Sequence, residues 1–190
     1  MSTVLEQETL MSEEEFLALP DDGVRRWLMD GKLREDPVTY RNWLHGDVVS
    51  KIVYFLEAWN RRQPLPRGLV LAGDIGFRIK RKKSTIVGVD IAYLSSDAAA
   101  KLEPDQRIIN DTPVLAVEVL SPSDTNERVN EKTAAYLEGG VPLVWVVDPA
   151  IKTITVYETG KPPVMFNRTQ RITAEPYLPG FEVAVEALLG

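Results

Sequence analysis

The stretch from residue 113 to residue 148 constrains the fold of this chain more than any other. It opens with a run rich in Val and Leu, continues with a polar segment, and closes with a second apolar run. Asp124 and Glu127 have the spacing of a helix-capping pair, and the helix they predict stops at Gly139-Gly140. A strand, a helix and a strand in this order predict a right-handed β-α-β crossover that joins two parallel strands.

Further runs of Val and Ile, bounded by turn residues, predict the rest of a sheet. The expected strands cover 69–79, 85–94, 113–120, 143–148 and 153–158. Helical spacing of apolar residues predicts a helix over 42–62, and a capping box predicts a short helix over 12–19. Asp30-Gly31 is typical of a two-residue hairpin turn within 24–35. The fold class expected is α/β or α+β, a mixed sheet flanked by helices, with an N-terminal helix and a β-hairpin.

Length and composition narrow the function classes. The 190 residues predict a flexible segment over 1–11 and a single domain over 12–190. The chain has no cysteine and only His45, which excludes disulfides, thiolate metal sites and zinc sites built mainly of imidazoles. A net charge of −6 makes a general nucleic-acid coat protein an unattractive interpretation. Without a long apolar run or a secretory-type start, we expect a cytoplasmic protein.

Two carboxylates interrupt otherwise apolar strands. Asp90 lies in Ile-Val-Gly-Val-Asp-Ile-Ala-Tyr-Leu, and Glu118 lies in Val-Leu-Ala-Val-Glu-Val-Leu. Burying an ionised carboxylate without a partner costs several kcal/mol, on the order of the stability of a whole domain, so each must meet a cation, hydrogen-bond donors or a water-lined cleft. The alternative is that either residue ends a strand or pairs with a surface arginine. Two such residues in successive strands nevertheless predict one shared site.

Lys132 lies on the helix predicted after Glu118, spaced with Val129 and Tyr136 so that all three project from one side. Two carboxylates and a lysine suit phosphodiester hydrolysis, because hard oxygens hold Mg²⁺ or Mn²⁺ and an ammonium stabilises the attacking oxygen or the developing charge. Taken by itself, Lys132 fits a solvated helix position better than a catalytic role. The three residues together predict a metal-dependent site with Asp90, Glu118 and Lys132 as catalytic residues.

The same residues resemble a known family. The segment Pro-Val-Leu-Ala-Val-Glu-Val-Leu-Ser-Pro-Ser, followed by Lys132, Tyr136, Gly-Val and Trp-Val-Val-Asp-Pro, resembles the Uma-type putative restriction endonuclease family of the PD-(D/E)XK superfamily. The resemblance runs from about residue 12 to the C-terminus. It implies a restriction endonuclease-like sheet, Mg²⁺-dependent cleavage of nucleic acid, and Lys132 as a motif lysine displaced onto the following helix.

The resemblance also implies a ligand set and shows three departures. Asp90, Glu118 and the backbone carbonyl of Val119 match the metal ligands. Val89 replaces the motif proline, Leu120 stands where the usual motif lysine would be, and Trp27 stands where many relatives have glutamate. Loss of an acid at position 27 weakens the expectation of a second metal ion.

Four further residues are candidate substrate contacts, each with a structural alternative. His45 either faces the phosphate cleft or merely begins a helix, and Asp74 either supports the site or marks a β-bulge. Arg78 and Lys80 belong to a basic cluster that either grips phosphates or forms a solvated hairpin tip. The four tryptophans are expected to pack in the core rather than to stack on bases: Trp27, Trp43, Trp59 and Trp145.

Three function classes follow from these patterns. The first is a Mg²⁺-dependent endonuclease that acts on DNA, expected as a homodimer by analogy with nucleases that engage both strands. The second is a catalytically inactive nuclease fold that binds nucleic acid or a protein partner, which the acidic net charge and Trp27 favour. The third is a hydrolase of a small phosphorylated compound, which needs the same ligands but no extended basic groove.

Overall fold

The computed structural model of the chain describes residues 10–36 and 41–190. The described helices are α1 (Glu13–Leu17), α2 (Trp43–Asn60), α3 (Ser96–Ala99), α4 (Asn126–Glu138) and α5 (Val185–Leu189). The described strands are β1 (Arg25–Met29), β2 (Lys32–Asp36), β3 (Leu69–Arg78), β4 (Ile86–Leu94), β5 (Ile108–Ile109), β6 (Leu115–Val119), β7 (Leu143–Asp148), β8 (Thr153–Glu158), β9 (Val164–Asn167), β10 (Arg171–Thr173) and β11 (Glu182–Ala184). No helix in these ranges is long and apolar enough to cross a membrane. Most of the segment predicted to be flexible, 1–11, lies outside the described residues.

A mixed sheet of nine described strands organises the fold. Its order is β2-β1-β4-β6-β7-β8-β9, with β3 paired to β4 and β5 paired to β3, while β10 and β11 form a separate ribbon. The strands β6 and β7 run parallel and are joined through α4, which confirms the β-α-β unit. Most other pairs are antiparallel, so the predicted α+β class with a mixed sheet is confirmed.

The structure also confirms the hairpin and the long helix that were predicted in the N-terminal half. Asp30 (φ 52°) and Gly31 (φ 78°) form the turn between β1 and β2 with the positive φ angles that a two-residue hairpin needs. Asn42 caps α2 by accepting the backbone N–H of His45. Proline fixes φ and lacks an N–H, so the prolines that follow the last turn of α2 prevent the helix from continuing.

Two expectations need correction. The cap of α4 is Thr125, whose side chain accepts the N–H of Arg128, while Asp124 instead accepts the backbone N–H and the hydroxyl of Ser121. The carboxylate of Asp124 is engaged by Ser121, so the helix begins one residue later with Thr125 as its cap. Trp43 is 80% exposed at the first turn of α2, so the prediction that all four tryptophans are core residues is wrong for this one.

The core has two parts, one on each face of the sheet. Helices α2 and α5 cover one face, and α4 covers the other. In β6, Val117 and Val119 pack toward α2, whereas Ala116 packs toward α4. Side chains alternate along a strand, so Glu118 lies on the α4 face and meets that helix.

The middle of β4 departs from regular sheet geometry. One edge of this strand pairs with β1 at Ile86 and next with β6 at Ile91, and no described strand is in register with it between these points. On the other edge, the register with β3 shifts between Ala72 and Ile75, so Gly73 and Asp74 form a β-bulge, which is one of the alternatives that the sequence left open. Asp90 lies at this irregular point, where a side chain can leave the regular alternation of the sheet.

The bulge depends on Gly88. A Cβ at this position would lie 1.9 Å from Oδ1 of Asp74 and 2.6 Å from its Cγ. Asp74 is itself held at φ 61° and by an ion pair with Arg25, so its carboxylate has little freedom to move away. The absence of a side chain at Gly88 is therefore what allows Asp74 to fold over β4.

We expect Gly88→Ala to lower the free energy of unfolding by about 1–3 kcal/mol, because the added methyl overpacks against a clamped carboxylate. Urea denaturation measures the change. Gly46→Ala is the matched control, because its Cβ would meet no atom within 4 Å and alanine favours the helix it lies in. Equal stability of Gly88→Ala and the wild-type protein would show that the bulge relaxes freely.

Candidate active site

Asp90 is a buried carboxylate surrounded by donors and cations. Its Oδ2 accepts the backbone N–H of Val119 at 2.9 Å and lies 3.4 Å from Nε2 of His45. Its Oδ1 lies 3.5 Å from Nη2 of Arg25. Burial acts to raise the pKa of Asp90, but His45, Lys132, Arg25 and the Val119 N–H together hold this pKa below its ordinary value. Asp90 is therefore an anion at neutral pH.

Glu118 is held by two residues of α4. Its Oε2 accepts from Nζ of Lys132 at 2.6 Å, and its Oε1 accepts from the hydroxyl of Tyr136. Lys132 also donates to the carbonyl of Gly88 at 2.8 Å, in the part of β4 that no described strand pairs on that edge. Lys132 and Tyr136 thus project from the same side of α4. Lys132 faces the sheet, as its spacing in the sequence predicted.

The ionisation of these groups is coupled. Burial raises the pKa of Glu118 above its ordinary value, with Lys132 opposing and the charge of Asp90 adding to the rise. Burial, followed by the nearby charge of Glu118, raises the pKa of Tyr136 well above its ordinary value, so Tyr136 stays a neutral donor. Two neighbouring carboxylates therefore differ: Asp90 is the stronger acid and Glu118 is the weaker.

Two adjoining spaces open onto these groups. A small cavity of about 30 Å³ is lined by Asp90, Glu118, Val119 and Lys132, together with neighbours from β1 and α4. That volume has room for about one or two water-sized species. A larger cleft of about 420 Å³ is lined by residues that include Asp90 and His45. Asp90 forms part of the wall of both spaces, so the two spaces adjoin at this carboxylate.

The structure brings together most of the predicted site residues. Asp90, Glu118, Val119 and Lys132 line one cavity, and His45 and Asp74 line the adjoining cleft. Arg78 instead pairs with Glu13 and Asn110, and Lys80 lines an open surface depression with Asp30 and Glu138. Neither is on the wall of the cavity or the cleft, and a role for them in substrate contact stays a prediction.

Two arginines of the site were not predicted. Arg25 donates to Asp74 through Nε at 2.7 Å and Nη2 at 2.6 Å, and Arg41 donates to Oγ of Ser121 at 2.7 Å. Both line the cavity and the cleft. The alternation of side chains along β1 places Arg25 on the face of Trp27, so the position of Trp27 in the family pattern could have pointed to it. No feature of the sequence around Arg41 indicates that this residue belongs to the site.

Trp27 itself closes one wall of the small cavity. It is buried, its indole Nε1 has no hydrogen-bond partner among the described residues, and the guanidinium of Arg128 lies 5.8 Å from its ring centroid. An indole cannot replace the oxygen ligand that a glutamate would supply, although its ring can attract a cation. The cavity is thus left with two strand carboxylates.

A mixed sheet with two buried strand carboxylates and a helix lysine defines a nuclease-like α+β fold. The Uma2 family model, described as "Putative restriction endonuclease", matches residues 13–186, and the chain belongs to this family. A crystal structure of a "putative nuclease belonging to DUF820" from Anabaena variabilis ATCC 29413 has the same fold, with a TM-score of 0.79 and 18% identity over 93% of this chain and 96% of that one. No curated protein matches the chain.

Proposed function

We propose that this chain is a Mg²⁺-dependent endonuclease that hydrolyses phosphodiester bonds in DNA. One observation carries the proposal: Asp90 and Glu118, from neighbouring strands, meet Lys132 on the wall of one small cavity beside an open cleft. Membership of the putative restriction endonuclease family supports it. The arrangement provides two oxygen ligands for a hard cation and an ammonium for the charge that develops on a phosphate.

The donor set suits Mg²⁺ or Mn²⁺ better than other common metals. The described residues contain no cluster of three or more acidic or histidine side chains of the kind that encloses a metal on its own. Mg²⁺ keeps several waters and is usually bound through one or two carboxylates together with substrate phosphate. Asp90 and Glu118, with the Val119 carbonyl, would hold such an ion, which when bound polarises the phosphate and acidifies a water.

Other groups of the site would position the water, the phosphate and Asp90. Lys132 Nζ, hydrogen-bonded to Glu118, would orient the attacking water and stabilise charge on the phosphate oxygens. His45 lines the cleft, and its buried Nε2 has no hydrogen-bond partner among the described residues and lies 3.4 Å from Oδ2 of Asp90, so His45 would help to orient this carboxylate. The Val119 N–H and Arg25 fix the orientation of Asp90.

Titration calorimetry with Mn²⁺ and Mg²⁺ tests this proposal directly. We expect saturable binding to the wild-type protein in the presence of a DNA oligonucleotide, and loss of that binding in Glu118→Gln, which keeps the shape but removes the charge of the ligand. Glu138→Gln is the control, because Glu138 is an exposed partner of Arg81 at the end of α4. Absence of binding in the wild-type protein, with and without oligonucleotide, would leave a scaffold without the metal chemistry.

A catalytically inactive scaffold that binds nucleic acid is the second candidate. Two observations favour it: the guanidinium of Arg25 already lies 3.5 Å from Asp90, and Trp27 supplies no oxygen to the cavity. Binding of DNA without cleavage would select this function. Cleavage of nucleotides or other small phosphate esters, with no action on long DNA, would instead select a small-molecule hydrolase.

We also propose a cytoplasmic homodimer, on the basis of the restriction endonuclease-like family and the need to engage two strands. Light scattering on the purified chain measures the mass in solution. A monomer both alone and with duplex DNA would exclude the homodimer while leaving the site as described.

A further inference from the structure

Two guanidinium groups lie where the small cavity meets the larger cleft. Arg25 comes from β1 and Arg41 from the residues just before α2, and both line both spaces. Asp90 is the third residue shared by the two walls. A ligand that occupies both spaces would therefore meet walls that include both arginines.

Each arginine is held in place by a neighbouring carboxylate. Asp74 fixes Arg25 through two N–H groups from the bulge over Gly88, and Arg25 is only 19% exposed. Arg41 donates to Ser121 and lies 3.5 Å from Oδ2 of Asp124. Side chains held in this way lose little further conformational freedom when they bind a ligand, which favours affinity.

Both groups retain donors for a ligand. A guanidinium has about five N–H donors in a planar fork. Among the described residues, hydrogen bonds to the anchors account for two nitrogens of Arg25 and one of Arg41. The planar fork matches the oxygens of a phosphate better than a lysine ammonium does, and it remains charged at every relevant pH.

The charge around the cavity is a further argument that Arg25 and Arg41 contact the ligand. A chain of net charge −6 that gathers Asp90 and Glu118 in one cavity would repel a polyanion from it. Two fixed guanidinium groups at the entrance place positive charge where the ligand would enter, although each is partly offset by its carboxylate anchor, Asp74 or Asp124. The basic tip that includes Lys80 lines a different surface depression, so it does not supply this charge.

We propose that Arg25 and Arg41 form a phosphate clamp, which binds the non-bridging oxygens of the nucleic-acid backbone next to the bond that is cleaved. The larger cleft then holds the adjoining nucleotide. The inference rests on the proposed function and adds its substrate contacts: a phosphodiester backbone, bound through two arginines rather than through the basic hairpin tip.

The test is binding of a fluorescein-labelled DNA duplex, measured by anisotropy over a series of NaCl concentrations with Ca²⁺ in place of Mg²⁺. A denaturing gel confirms that the duplex stays intact. We expect Arg25→Gln and Arg41→Gln each to weaken binding by about tenfold or more and to reduce the slope of log K against log salt by about 0.9, the value for one phosphate contact.

Arg26→Gln is the matched control, because Arg26 is the next residue of the same strand, pairs with Asp22 and Glu35, and lines neither space. It removes the same charge but should change the slope little. Arg25→Lys keeps the charge without the fork, so we expect the slope to be retained and the affinity to fall. Because Arg41 lies outside the helices and strands, Arg41→Gln carries the test if Arg25→Gln does not fold.

The outcomes separate the clamp from the nuclease. Slopes and affinities equal to wild type in both glutamine variants, with DNA cleavage by the wild-type protein in Mg²⁺, would overturn the clamp and leave the proposed function standing. A wild-type protein that neither binds nor cleaves DNA would overturn both. A thermal shift in Arg25→Gln with an unchanged slope would show that this ion pair is only structural, which also overturns the clamp.

Discussion

Asp90→Asn is expected to reduce the rate of DNA cleavage in Mg²⁺ by about three orders of magnitude or more, while the protein stays folded. The substitution preserves the shape of the side chain and an oxygen for the N–H of Val119. It removes the anion that is the stronger acid of the pair and is therefore charged at neutral pH. Losses of this size are typical when a group that acts directly in the reaction is removed.

Single-turnover cleavage of a labelled duplex measures this effect. Asp97→Asn is the control, because Asp97 is an exposed residue of α3 and loses the same charge. The two proteins should be purified side by side, since a contaminating nuclease would give both the same rate. Cleavage by Asp90→Asn at the wild-type rate would show that the reaction takes place elsewhere or in another protein.

The parts of the site that could be predicted are those in which sequence pattern and chemical cost coincide. An ionised Asp90 or Glu118 inside an apolar strand is expensive unless it has partners, so its presence alone predicts a cluster. The period of the helix then places Lys132 toward Glu118, as the structure shows. The same logic of period and turn residues predicted the hairpin, the long helix and the parallel β6 and β7 strands.

The unpredicted parts depend on long-range contacts. Arg25 and Asp74 are far apart in the sequence. Their ion pair depends on a β-bulge and on the absence of a side chain at Gly88, where the Asp74 carboxylate lies. Arg41 depends on a loop contact with Ser121. Trp43 was predicted to be buried but is exposed. The spacing of apolar residues does not decide whether a large apolar side chain at the start of a helix faces the core or the solvent.

The stability of the site depends most on Lys132. We expect Lys132→Met to lower the free energy of unfolding by about 3–5 kcal/mol at neutral pH, because Glu118 would be left as a buried charge without its ammonium. Lys132 and Glu118 have side chains only 12% and 10% exposed, so the roughly one or two waters that the adjoining cavity can hold would replace the lost partner only in part. Urea denaturation of the variant and the wild-type protein measures the difference.

The double variant Glu118→Gln with Lys132→Met separates the charge from the packing. Removal of both charges should recover most of the loss, since neutral side chains of similar size need no counterion. The pH dependence gives a second check: because the pKa of Glu118 is raised in the folded protein, protonated Glu118 favours folding at low pH, and this contribution is lost as pH rises through the folded pKa. The deficit of Lys132→Met relative to wild type should therefore shrink as the pH is lowered through the folded pKa of Glu118. A deficit that is independent of pH and remains in the double variant would mean that Lys132 stabilises the fold through its contacts with β4, such as its hydrogen bond to the Gly88 carbonyl, and that the charge of Glu118 is balanced by other groups.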